Sequence, residues 1–140
     1  NVVVNVGIQY MAGTALTSTT QITTWYVGLI TGPGASNTYA RTDTLASHAG
    51  WAETTPYSGN RPAITFVAAT NANPSVVTNS TAVTYAINTT QTVGGAFLCS
   101  AASGTTGTLF SASSFQSPGD RVVVSGDTLN VTYTFSLDAA

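Results

Sequence analysis

Apolar and polar residues alternate with a period of two along much of this chain, most cleanly at its end. In "DTLNVTYTFSL" (127–137), Leu129, Val131, Tyr133, Phe135 and Leu137 fall on one face, and Asn130, Thr132, Thr134 and Ser136 on the other. That spacing predicts a half-buried strand with a Thr-coated outer face. Seven further runs rich in Val, Thr, Tyr, Phe and Ile read as strands: 1–9, 22–30, 62–70, 80–88, 92–100, 107–112 and 120–125. The punctuation between them is Gly, Pro, Asn and Ser. "SGD" (125–127) predicts a tight turn joining the last two runs into a hairpin, and "VVTNSTAVTY" predicts a second hairpin turning at Asn79. Two glycines inside "VGGAF" predict a bulge or a close approach of another backbone.

Eight strands at this spacing, with turn signals between them, predict an all-β chain: a single antiparallel β-sandwich of jelly-roll type, one domain over 1–140. The one helix expected lies in the 41–61 connection, where Thr42 or Asp43 can cap "TLASHA" and Gly50 can stop it.

Composition narrows the function. Only 6% of the 140 residues are charged, against about 25% in ordinary soluble domains. Lys is absent, the cations are Arg41, Arg61 and Arg121, and Thr and Ser together exceed a quarter of the chain. With 43% hydrophobic residues and a net charge of −2, the chain is expected to fold rather than stay disordered. Three scattered Arg cannot form a nucleic-acid stripe, so no direct nucleic-acid contact is expected. No apolar run approaches the roughly 18 residues of a membrane span, and the start of the chain lacks the basic segment of a signal peptide. Cys99 has no partner for an internal disulfide and reads as a small buried strand residue. A surface so poor in Lys lacks the usual guard against edge-to-edge association, which suits a chain covered by neighbours.

Most of the ionisable groups cluster in "RTDTLASHAGWAETTPYSGNR" (41–61), which holds the only His, His48. A triad of Ser47, His48 and Asp43 is not expected: on a helix, Ser47 and His48 would project about 100° apart. Metal ligation lacks a third and fourth ligand at a suitable spacing, so no metal, no cofactor and no catalytic residue is assigned. The favoured reading makes Arg41, Asp43, His48, Trp51, Glu53 and Arg61 a structural hub that holds the long connection down, with Arg41 or Arg61 paired to Asp43 or Glu53 and Trp51 plugging the edge of the core. The alternative is a carbohydrate-binding β-sandwich, with Trp51, Tyr57 and Tyr39 as the aromatic platform; Trp25 is expected in the core.

The order of blocks "TTWYVGLI", "RTDTLASHAGWAE", "NRPAITF", "TNSTAVTYAI", "GGAFLCS", "GTLFSASSF" and "VSGDTLNVTYTFSL" resembles the capsid cement (decoration) proteins of tailed bacteriophages. The likeness covers nearly the whole chain from residue 22 and includes no catalytic signature. It implies a non-enzymatic jelly-roll protein on the outer surface of the virion capsid, made in the bacterial cytoplasm. It also implies two partners, the phage major capsid protein and a second copy in a homodimer. On this reading Val2, Val3, Val4, Val6 and Ile8 form either an edge strand that adds to a neighbour's sheet or an ordinary first strand of the chain's own sheet.

Overall fold

The computed structural model describes residues 2–116 and 119–139. Among them are eleven strands and one α-helix: β1 (Val2–Val3), α1 (Asn5–Leu16), β2 (Trp25–Thr31), β3 (Glu53–Thr54), β4 (Ala63–Ile64), β5 (Ser75–Thr78), β6 (Val83–Ala86), β7 (Gln91–Cys99), β8 (Leu109–Ser114), β9 (Arg121–Val123), β10 (Thr128–Val131) and β11 (Thr134–Leu137), with a 3₁₀ turn at Gly34–Ser36. All strand pairs are antiparallel, and the architecture is the expected all-β sandwich with a short helix.

The larger layer runs β1-β8-β7-β2-β3, with β4 on β2 and β9 on β7. The second layer is a long ribbon in two parts, β10 on β6 and β11 on β5. Its register slips at Asn79, whose side chain bridges the break: Oδ1 accepts the Tyr133 N–H at 3.0 Å and Nδ2 donates to Val131 O at 3.2 Å and Thr81 O at 2.7 Å. Asn79 is therefore not a hairpin turn. β5 and β6 lie end to end along one partner, because the Asn79 side chain replaces the ladder bonds that the slip removes. The "SGD" turn is tight, with Gly126 at φ 98° and Asp127 N–H donating to Val124 O at 3.0 Å. Its two flanking strands do not form a hairpin with each other: β9 pairs with β7 and β10 with β6, so the turn carries the chain from one layer to the other.

Both faces of the larger layer are buried. Val27, Leu29, Leu98 and Phe110 pack with Val83, Tyr85, Leu129 and Val131 of the ribbon, and Ile30, Phe97, Cys99 and Leu109 pack with Leu45 and Trp51 of the long connection. The glycine pair sets this up. Ile30 lies opposite Gly95 but Thr31 lies opposite Val93, so Gly94 is an extra residue. Val93 and Phe97 would otherwise share a face; the bulge turns them to opposite ones. A Cβ on Gly94 would lie 2.6 Å from Gly34 N, the close backbone approach that its sequence context suggested.

Two further expectations are corrected. The helix is at Asn5–Leu16, not in the 41–61 connection. Residues 44–47 instead close a tight turn, with Thr44 N donating to Ser47 O at 2.9 Å and Ser47 N to Thr44 O at 3.2 Å. Asp43 does not cap a helix there because its carboxylate is used elsewhere. At the start of the chain the strand stops at Val3, where Val2 and Val3 pair with Ala112 and Ser111 of the chain's own β8. Val4 is buried, while Val6 and Ile8 ride on α1. The helix forms there because Gly7 lets it approach Phe110 closely, 2.5 Å from a Cβ position to Phe110 O, and because Tyr10 packs edge-on to Trp25.

Candidate functional site

The long connection between β2 and β4 lies over the outer face of the larger layer, and its charged and aromatic residues form two stations joined by Phe97. At the first, the buried Asp43 carboxylate (7% exposed) accepts two hydrogen bonds on Oδ2, from Ala40 N at 3.1 Å and from the Trp51 indole Nε1 at 3.0 Å. His48 stacks on Trp51 with ring centroids 3.7 Å apart, and its Nδ1 lies 3.0 Å from Trp51 O. Trp51 then leans on Phe97 at 5.1 Å.

At the second station, Arg61 is 6% exposed and grips Glu53 with both arms, Nε to Oε1 and Nη2 to Oε2, each at 2.7 Å. Its remaining donors reach Ala101 O at 2.9 Å and Gly104 O at 2.8 Å, and the guanidinium sits 5.2 Å above the Phe97 ring. The bond to Glu53 raises the Arg61 pKa further, so the cation is permanent. One pair thus ties the connection to the 100–108 loop. Phe97 itself lies over Gly28, its partner across β2 and β7, where any Cβ would collide with the ring.

Of the six residues expected in the hub, five meet in these two stations. Arg41 does not; its side chain is exposed, and only its backbone carbonyl takes part, accepting Asn5 N at 2.7 Å. The expected pairing of an Arg with a carboxylate is realised as Arg61 with Glu53, and among the described residues it is the only ion pair. Ser47, His48 and Asp43 are not joined by hydrogen bonds: Asp43 Oδ2 takes the Trp51 indole N–H, His48 Nδ1 meets Trp51 O, and the Ser47 backbone N–H donates to Thr44 Oγ1. No group of three His, Cys, Asp or Glu side chains is placed to hold a metal ion among the described residues. The aromatic platform is not formed either, because Trp51 and Tyr57 are buried at 5% and 8% exposure. Trp25 packs against the core, as expected.

Burial raises the Cys99 thiol pKa, and Cys99 Sγ donates to Ala101 O at 3.3 Å, so it is a packed side chain rather than a nucleophile poised for attack. Burial also pushes the Tyr57 phenol up to about 12, and its hydroxyl has no hydrogen-bond partner among the described residues. Sequence reasoning missed two contributors: Phe97, the shared platform, and Asn79, the stitch. The adjacent Gly pair marks the strand of the first, but nothing local distinguishes the second from a turn Asn.

Of the other charges, Arg41 and Asp138 are exposed and three are spent on turns. Asp120 Oδ1 accepts Gly34 N at 2.8 Å, Asp127 Oδ2 accepts Val124 N at 2.9 Å, and Arg121 Nη1 donates to Gly119 O at 3.1 Å. What faces outward is Thr, Ser and Asn with apolar side chains among them, Leu16 at 85% and Val122 at 72% exposure foremost. No helix among the described residues is long and apolar enough to cross a membrane. Comparison of the chain with protein-family models, curated proteins and solved structures returns no match.

Proposed function

We propose that this chain is a structural virion protein: a jelly-roll cement protein that sits on the outer surface of a phage capsid and bridges neighbouring major capsid subunits, acting as a homodimer. The observation that carries the reading is where the charges go. Of eight charged side chains, six hold the chain's own loops and turns, and the exterior is left almost neutral. A neutral hydroxyl-rich surface is cheap to bury, since desolvating an unpaired charge costs several kcal/mol. A cement needs that property over a wide area, about 1,000–2,000 Å² per copy, repeated many times around a shell.

The braces suit the same role. Phe97 held between Trp51 and Arg61 makes the outer cover of the larger layer stiff, so that load passes through packed side chains rather than through a loose loop. The resemblance noted in the sequence points the same way.

The test is co-sedimentation of the purified protein with expanded heads of the phage that encodes it, stripped of this chain. Saturable binding near one copy per capsid subunit, with DNA retained to a higher temperature, is the expected result. Absence of binding to heads that are otherwise intact sinks the reading.

A further inference from the structure

The second layer has two edges, and only one is covered by the described residues. On the β5–β6 side the 65–70 segment lies alongside: Val67 N donates to Thr78 O at 2.9 Å and Thr70 N to Val76 O at 3.0 Å. On the other side β10 pairs with β6 alone among the described residues. Ile87 N donates to Asp127 O at 2.9 Å, which fixes the phase of that ladder. Asp127, Leu129 and Val131 therefore turn their backbone groups toward β6, and Thr128 and Asn130 turn theirs outward. β10 carries no charge and no Pro, the usual guards of an edge. Beside it runs a groove of about 400 Å³, lined by Phe115, Gln116, Arg121, Asn130 and Thr132 among others. A second hollow of about 280 Å³ shares Phe115, Gln116 and Thr132 with it and is also lined by Tyr133. Arg121 is the only charged side chain of the lining; its Nη1 meets only the carbonyls of Gly119 and Asp120, and no carboxylate pairs with it among the described residues.

We propose that the outer edge of β10 accepts a short extended peptide segment of a partner protein as an added strand. Alternate side chains of that segment lie in the groove over Phe115, and one carboxylate pairs with Arg121. The open backbone supplies affinity without regard to sequence, and the groove and the guanidinium supply selection, the division of labour of strand addition. A planar guanidinium takes a carboxylate with two parallel hydrogen bonds. The slip at Thr132–Tyr133 ends the straight ladder, so the segment is short, about six residues. This inference does not rest on the capsid reading.

The experiment is selection from a random octapeptide display library on the whole chain, followed by synthesis of the enriched peptide. Enriched sequences are expected to carry one Asp or Glu among alternating apolar residues. Hydrogen exchange at the Thr128 and Asn130 amides should slow on binding. N-methylation of alternate peptide amides should abolish binding, and Arg121→Gln should weaken it by about tenfold. Failure to enrich any peptide overturns the proposal, and so does binding that tolerates both N-methylation and Arg121→Gln. A glycan-array hit whose binding shifts the same groove residues, with no peptide enriched, also overturns it and makes the groove a sugar site.

Discussion

The Trp51 indole N–H ends on the Asp43 carboxylate at 3.0 Å in a buried hydrogen bond. One carboxylate oxygen thereby serves both an indole and the Ala40 backbone N–H, and holds the loop that roofs Phe97. Asp43→Ala leaves the buried Trp51 indole N–H without an acceptor, which costs about 1–3 kcal/mol, and frees the Ala40 N–H, which lies on an exposed residue. The expected result is a loss of about 1–3 kcal/mol by urea unfolding and a weakened near-ultraviolet dichroism from Trp51. Asp43→Asn keeps an acceptor and should lose clearly less. Equal losses in the two variants would show that the charge, rather than the acceptor, does the holding.

Arg61 and Glu53 present the opposite asymmetry. Removing the carboxylate with Glu53→Ala strands a guanidinium that is 6% exposed, and breaking such a pair costs about 3–5 kcal/mol. The double variant Glu53→Ala/Arg61→Met removes both charges and keeps a long apolar stem over Phe97, so it should be more stable than the single variant. A double-mutant cycle by denaturant unfolding reads this directly. A double variant less stable than Glu53→Ala would mean that the Arg61 bonds to Ala101 and Gly104 outweigh the pair.

The last ribbon and the glycine pair were legible in the sequence because each carries its own signal: strict alternation from Leu129 to Leu137, and two residues without side chains where backbones must meet. The hub was legible in outline because a chain with few charges gathers them where they are needed. Helix α1 was not. Its N-cap is Val4 with no side-chain cap, it has no acidic first turn and no basic last turn, and Val, Gly and Thr are poor helix formers. Packing on β8 selects the helix, and packing partners distant in sequence leave no local mark. The expected helix at 44–49 failed for the converse reason: the capping signal at Asp43 was real, but a tertiary partner, Trp51, claimed the carboxylate. Neither the layer-switching turn at 125–127 nor the slip at Asn79 could be told from a hairpin, since a turn residue fixes the bend and says nothing of which strand comes alongside.

Gly94 gives a sharp test of the bulge. A Cβ there meets Gly34 N at 2.6 Å and Gly32 Cα at 2.8 Å, both backbone atoms that cannot swing aside. Gly94→Ala should cost about 1–3 kcal/mol, as overpacking does. Gly59→Ala is the control: a Cβ at Gly59 meets nothing within 4 Å, although its φ of 89° adds some strain, so its loss should be near 1 kcal/mol. Unfolding midpoints that rank the two variants the other way would remove the close approach of 32–34 to β7 as the reason for the glycine pair.

Tyr57 links an unsatisfied hydroxyl to alkaline stability. Its phenol is raised from 10.0 to about 12, first by burial and then by the Glu53 charge, so the folded state holds the proton longer than the unfolded chain does. Below pH 10 both states are protonated and the full stability is present; as pH rises from 10 to 12 the unfolded chain ionises first and stability falls. The loss across that window is on the order of 2 kcal/mol. Burial raises Cys99 and Tyr85 in the same direction, so the alkaline decline is shared, and Tyr57→Phe should make it shallower without abolishing it. At pH 7 the same substitution removes a buried hydroxyl that has no partner among the described residues, and is expected to leave stability unchanged or to raise it by about 1 kcal/mol. Urea midpoints measured from pH 7 to 11 on both proteins decide it. A Tyr57→Phe variant weaker by more than about 1 kcal/mol at pH 7 would show that the hydroxyl is bonded in solution after all.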